Sequence, residues 1–232
     1  MLEDLAWLGL TWEMPIRRQS DHLTDYHAAL ERLRARDLVY RCFKTRKDIL
    51  GDIGRAPHGS AVAPVGGPLP AVEEAALLAE GRPYAWRLSL DAAHRALGGF
   101  DGLEFIEEGA SPDGERGPIV ARPHMAGDVI LARKDLGVAY HLAVVVDDAG
   151  QGVSHVIRGN DLFAATHVQR LLQALLDLPT PIYRHHRLLL RPDGRRFAKR
   201  DTTETLRDLR EKGVGPAALR AELGFADLLA RA

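Results

Sequence analysis

The sequence predicts an α/β protein, and three observations lead there. Four short strand-like runs follow residue 127: DVILAR, AYHLAVVVDD, VSHVIRG and HRLLLR. Between the last two, Val168, Leu171, Leu172, Leu175 and Leu176 recur at helical spacing, so one face of a helix is apolar. Strand, helix, strand is the βαβ arrangement of a layered α/β fold. The third observation is composition. A chain of 232 residues, 46% hydrophobic and 27% charged, has enough apolar material for a core and is unlike a disordered, collagenous or coiled-coil sequence.

The elements follow in chain order. Leu2, Leu5 and Leu8 suggest a helix already under way at the first residues. Leu23, Tyr26, Leu30 and Leu33 define a helix over 20–38, with Ser20 as its N-cap. Residues 51–70 are rich in Gly, Pro and Ala without a period, which predicts a loop or an eroded substructure. A short helix is expected over 71–80, stopped by Gly81, and an alternating strand over 84–90. Residues 109–118 read as a loop. The AYHLAVVVDD run is continuously apolar, as a parallel strand covered on both faces would be. Thr166 is placed to cap the helix after it, and Pro179 to stop that helix. Two helices are expected beyond residue 200, the second starting near Pro216.

Charge and cysteine usage narrow the function classes. Lys plus Arg is 31 against 32 Asp plus Glu, a formal charge of -1, so the whole chain does not announce nucleic acid. The basic charge is local: residues 184–200 hold seven Lys or Arg against one Asp, and suit a polyphosphate or an RNA backbone, or form a solvated basic turn. A single cysteine, Cys42, excludes an internal disulfide and a thiolate-rich zinc site, and fits a reducing cytoplasmic compartment. No apolar run approaches the roughly 18 residues of a membrane span. No GxSxG, Walker A or GxGxxG element is present. Asp147, Asp148 and Arg158 fall near the expected carboxyl ends of strands, where α/β sheets bind ligands. Arg158 suits a carboxylate or phosphate, or belongs to a solvated strand-terminal charge pair.

The stretches LAWLGLTWE, RRQSDHLTDYHAALERLRARDLVYRCF, GDVILARKDLGVAYHLAVVVDDAGQGVSHVIRGNDL and RRFAKRD resemble the glutamyl-type class I aminoacyl-tRNA synthetases. The short remainder after RRFAKR resembles the branch that places glutamate on queuosine of tRNA(Asp) without an anticodon-binding domain. The resemblance implies the second half of a Rossmann-like class I catalytic domain with a reduced inserted subdomain. It divides the chain into a helical remnant of the first catalytic half (1–39), a loop-rich inserted acceptor-type subdomain (40–126) and the second half (127–232). It implies glutamate, ATP with Mg²⁺, and queuosine-bearing tRNA(Asp) as substrates, and a monomer. Tyr140 and Arg158 match the family's glutamate-binding Tyr and Arg. Arg196-Phe197-Ala198-Lys199-Arg200 matches its KMSKS-type loop, which makes Arg196 and Lys199 the ATP-binding residues and Lys199 the catalytic one.

Three departures from the pattern shape the expectations. The HIGH-type segment that opens the family's fold is absent, and Met1 falls where the following helix is expected. The family's zinc-binding CxC pair reads Cys42-Phe43-Lys44 here, so no zinc is expected. Arg196 and Ala198 replace a Lys and a Ser of the signature loop. The rival to an active ligase is a shortened or degenerate paralogue that binds tRNA or a protein partner without chemistry. Asp147 and Asp148 stand as ligands of substrate or Mg²⁺, or as caps of a turn.

Overall fold

The computed structural model describes residues 2–44, 67–133, 137–188 and 205–224. The chain divides into two compact units, residues 19–188 and, together, residues 1–18 with 189–232.

Among the described residues the larger unit carries two four-stranded sheets. The first is antiparallel and joins β1 (Val39–Cys42), β2 (Ala85–Leu88), β5 (Ile130–Arg133) and β6 (Gly137–Val138) in the order β1-β2-β5-β6. The second joins β3 (Glu104–Glu107), β4 (Gly117–Val120), β7 (His155–Gly159) and β8 (Ile182–His186) in the order β4-β3-β8-β7. Strands between residues 40 and 126 thus pair into both sheets with strands beyond 126.

The expected βαβ unit is present. β7 and β8 are parallel, with Arg158 opposite His185. The helix between them, α6 (Phe163–Leu175), buries Val168, Leu171, Leu172 and Leu175 on the face the spacing predicts. β3 adds to the far side of β8, also parallel, with Glu107 opposite Tyr183. Of the strand predicted from HRLLLR, His186 ends the strand Ile182–His186, and residues 189–191 of that run lie outside the described residues.

Four local expectations need correction. AYHLAVVVDD is a helix, α5 (Tyr140–Gly150), not a strand. A continuous apolar run fits a buried strand or a buried helix equally by pattern, and length decides: eleven residues exceed an ordinary strand. Leu142, Ala143 and Val145 are buried, and α5 packs against β5, α6 and α2 (Leu23–Arg34). Ser20 does not cap α2; it sits in a 3-10 turn with its hydroxyl on Asp21, and His22 takes the cap position. Thr166 does not cap α6 either, because the helix begins three residues earlier and encloses it. Residues 109–118 are a loop only in part, since β4 begins at Gly117 and forms a hairpin with β3.

The end of α6 is built by hydrogen bonds. Leu178 N–H donates to the Gln173 carbonyl at 2.9 Å and Asp177 N–H to Ala174 at 3.4 Å, with Asp177 at φ 52°. That left-handed closure turns the chain before Pro179.

Helices stand where the sequence places them at α1 (Leu2–Trp7) and α3 (Ala71–Ala79). A further helix that the sequence reading did not give, α4 (Leu90–Leu97), is capped by the Ser89 hydroxyl on Ala92 N–H. The loop expected over 51–70 lies outside the described residues except for 67–70. In the smaller unit, α7 (Leu206–Glu211) starts with a reciprocal Thr205–Asp208 capping box, and α8 (Pro216–Glu222) opens on Pro216. Arg210 pairs with Glu3 at 3.2 Å, and Arg220 donates to the Leu8 carbonyl at 2.7 Å.

Leu172 is fully enclosed in the apolar core of the larger unit, with Leu33, Leu88, Leu131, Leu142 and Leu171. Leu172→Ala is expected to cost about 3 kcal/mol, seen as a lower urea midpoint at unchanged slope.

Candidate functional site

Two elements bring the sequence's candidate residues together. Tyr140 is the first residue of α5 and is 46% exposed. Arg158 lies near the carboxyl end of β7, where the βαβ unit opens toward solvent. Eighteen residues apart in sequence, they meet in space: Arg158 Nη1 donates to the Tyr140 hydroxyl at 3.4 Å.

The rest of the guanidinium is held from the inside. Its Nε–H donates to His185 Nε2 at 3.1 Å, and Nη2 to the Thr166 hydroxyl at 2.6 Å. The guanidinium carbon stands 5.2 Å from the centre of the Tyr183 ring, a cation–π distance. Tyr183 is itself fixed by Gln173, whose side-chain N–H donates to its hydroxyl at 2.9 Å.

Behind Arg158 sits a buried pair. His185 Nδ1 lies 2.5 Å from Glu107 Oε2, and both side chains have no exposure. Glu107 Oε1 also accepts the backbone N–H groups of Gly109 and His185, each at 2.8 Å. Burial pushes the His185 pKa down, and the Arg158 charge adds to this while Glu107 opposes it. His141, beside Tyr140, is also pushed down, first by burial and then by Arg158.

The two acidic residues separate. Asp147 is buried and accepts hydrogen bonds from the Tyr26 hydroxyl at 2.7 Å and from Gln19 at 2.9 Å, so its carboxylate ties α5 to α2 and the turn before it. Asp148 has its pKa raised by burial and by Asp147, against the lowering effect of Arg158. Both lie on the last turns of α5, not at a strand end.

Arg196 and Lys199 lie outside the described residues. Cys42 is buried beside Tyr40. Among the described residues no group of three His, Cys, Asp or Glu is placed to hold a metal ion, and no helix is long and apolar enough to cross a membrane. Two clefts lie away from the Tyr140–Arg158 pair. One, of about 420 Å³, is lined by Arg34, Tyr40, Arg41, Glu74 and Trp86. The other, of about 640 Å³, is lined by Asp91, His94, Phe100, Arg122 and His124.

Sequence reasoning missed Glu107, Thr166 in its present role, and His185. Polarity gave no signal: EFIE reads polar, apolar, apolar, polar, whereas the strand's burial alternates and puts Glu107 rather than Ile106 on the inward face with Phe105. A carboxylate on a core-facing position calls for a partner.

Comparison with known proteins bears on the whole chain. The family described as tRNA synthetases class I (E and Q), catalytic domain, matches residues 1–93 and 106–226. A glutamyl-Q tRNA(Asp) synthetase of Rhodobacter capsulatus is 42% identical over 97% of this chain and 81% of its own length. Another, of Nocardia farcinica, is 40% identical over 96% of this chain and 66% of its own. A glutamate–tRNA ligase of a Synechococcus species is 35% identical, with 45% of its length covered. A glutamate tRNA ligase of Elizabethkingia meningosepticum, solved in complex with its amino acid, superposes with a TM-score of 0.64 at 22% identity. That superposition covers 91% of this chain and 42% of the other, and it speaks for the fold alone.

Two expectations follow from the geometry. A Cβ on Gly109 would stand 2.1 Å from the His185 carbonyl oxygen and 2.8 Å from Glu107 Oε1. Gly109→Ala is therefore expected to lower the melting temperature and displace the Glu107–His185 pair, which the His185 ring ¹⁵N shifts report. His167 is buried against Phe105 and Phe163, its Nδ1 accepts the Arg122 N–H at 3.2 Å, and burial pushes its pKa down to about 4. The unfolded chain takes up this proton first, so stability is full above the ordinary histidine value of 6.5 and falls as pH drops toward about 4. The span corresponds to about 3 kcal/mol. Urea midpoints between pH 7.5 and 4.5 are expected to fall less in His167→Asn, which keeps the acceptor but does not titrate.

Proposed function

Because the chain belongs to the family of class I tRNA synthetase (E and Q) catalytic domains, and is by that membership a synthetase-like ligase, we propose that it activates glutamate with ATP and transfers it to queuosine of tRNA(Asp). Glutamyl-Q tRNA(Asp) synthetases at 42% and 40% identity support the acceptor. The observation that carries the reading is the meeting of Arg158 and Tyr140 at the carboxyl end of a parallel strand. An anchored guanidinium beside a phenol is suited to a carboxylate: the guanidinium supplies charge and N–H donors, the phenol one O–H.

In this reading a glutamate carboxylate oxygen attacks the ATP α-phosphorus, giving glutamyl-adenylate and releasing pyrophosphate. A ring hydroxyl of queuosine then attacks the adenylate carbonyl, displacing AMP. Arg158 and Tyr140 hold the amino acid, and positioning supplies much of the rate. Lys199 and Arg196, on the signature loop, would meet the triphosphate charge as pyrophosphate leaves. Mg²⁺ would enter with the nucleotide phosphates. Residues 127–232 then act as the second Rossmann-like half, residues 40–126 as the inserted acceptor-type part, and residues 1–39 as the helical remnant of the first half.

The test is glutamate-dependent exchange of pyrophosphate into ATP by the full-length protein without tRNA. Arg158→Ala is expected to lower kcat/KM for glutamate about 100-fold or more, with the KM for ATP little changed. Salt-sensitive tRNA binding without any exchange would instead favour a non-catalytic paralogue.

A further inference from the structure

We propose that the buried Glu107–His185 pair is a positioning device that fixes the rotation of the Arg158 guanidinium and so decides which of its N–H groups meet a ligand. The inference rests on the reading of Arg158 as a carboxylate-binding residue and deepens it.

The partners determine the proton arrangement. Arg158 Nε can only donate, so His185 Nε2, 3.1 Å away, accepts. The ring proton is then on Nδ1 and points at Glu107 Oε2, 2.5 Å away. Glu107 takes this N–H together with the Gly109 and His185 backbone N–H groups. The result is a chain of one polarity: Glu107 accepts from His185, and His185 accepts from Arg158. The buried negative and positive groups are joined through a neutral ring, consistent with the downward pKa shift that burial imposes on His185.

The consequence for Arg158 is directional. A guanidinium carries five N–H bonds in a plane. Nε–H is committed to His185 and one Nη2–H to Thr166, and the Thr166 hydroxyl lies 3.3 Å from the same His185 nitrogen. One edge of the fork is thus held by β8 and α6. The opposite terminus, through Nη1, faces the Tyr140 hydroxyl. A carboxylate arriving there meets an arginine whose rotation is already set, so less freedom is lost on binding.

Three substitutions separate this role from plain stability. His185→Asn places an amide where Nδ1 was, keeping a donor for Glu107 but removing the acceptor for Arg158. His185→Gln reaches the Nε2 position and keeps that acceptor. Glu107→Gln presents an amide N–H to His185 Nδ1, which drives the ring proton to Nε2 and turns it against Arg158. In the full-length protein, His185→Asn and Glu107→Gln are expected to raise the KM for glutamate about 10-fold or more, with kcat and the KM for ATP changed little, and His185→Gln to restore it to within about 3-fold. A second readout needs no activity. The Arg158 Nε–H signal in ¹⁵N spectra is expected to be resolved and slow to exchange in the wild type and in His185→Gln, and fast in His185→Asn. Ring ¹⁵N shifts are expected to show His185 protonated on Nδ1. An Arg158 Nε–H unchanged by His185→Asn, or a His185 proton on Nε2 in the wild type, overturns the proposal whatever the exchange assay gives. The expected spectra with no glutamate-dependent exchange in the wild type overturn the glutamate reading instead.

Discussion

A carboxylate with no exposure to water must be supplied with donors, and the arrangement around Glu107 is the constraint on which this half of the molecule turns. An uncompensated buried carboxylate costs several kcal/mol. Glu107 receives three N–H groups, two from His185 and one from Gly109. Each requirement shapes the backbone. Gly109 carries no Cβ because the His185 carbonyl occupies that space. β3 runs parallel to β8, which sets Glu107 beside His185, while its hairpin partner β4 is antiparallel. Once these conditions hold, the His185 ring presents an acceptor toward β7, and the residue placed there is Arg158.

The site is therefore assembled from four elements that contribute different things. β7 supplies the cation, β8 the neutral ring behind it, α6 a hydroxyl that takes a second N–H, and α5 a phenol in front. The apolar face of α6 holds the helix on the sheet, and the Asp147 bonds to Tyr26 and Gln19 hold α5 against α2. Packing sets the helix positions to within a side chain's reach, and the polar network sets the remaining rotation. The geometry suits a carboxylate, because preset hydrogen-bond donors need little reordering when the anion arrives.

Much of this was legible in the sequence, and the reasons for the rest are physical. The βαβ unit showed because α6 has a strict helical period and is flanked by strand-like runs. Arg158 stood out by its place at the end of a strand-like run, and Tyr140 by the resemblance of AYHLAVVVDD…VSHVIRG to a synthetase segment; in the fold the two side chains meet. The same segment misled on secondary structure, since Leu142 to Val146 are apolar without a gap and a buried helix shows no polar face. Ser20 and Thr166 do not cap because the cap positions fall on residues without a capping hydroxyl, His22 before α2 and Leu162 before α6. Glu107 and His185 lie 78 residues apart, and their pairing depends on a strand order that local pattern does not encode.

Recognition at this site turns on Arg158 meeting a carboxylate with its inner edge still held by His185. Structure determination of the full-length protein with bound glutamate tests it most directly. A carboxylate is expected within about 3 Å of Arg158 Nη1 and near the Tyr140 hydroxyl, with Nε still on His185. A carboxylate bound elsewhere, or an Arg158 that leaves His185 to reach it, would rule out a preset guanidinium at this site.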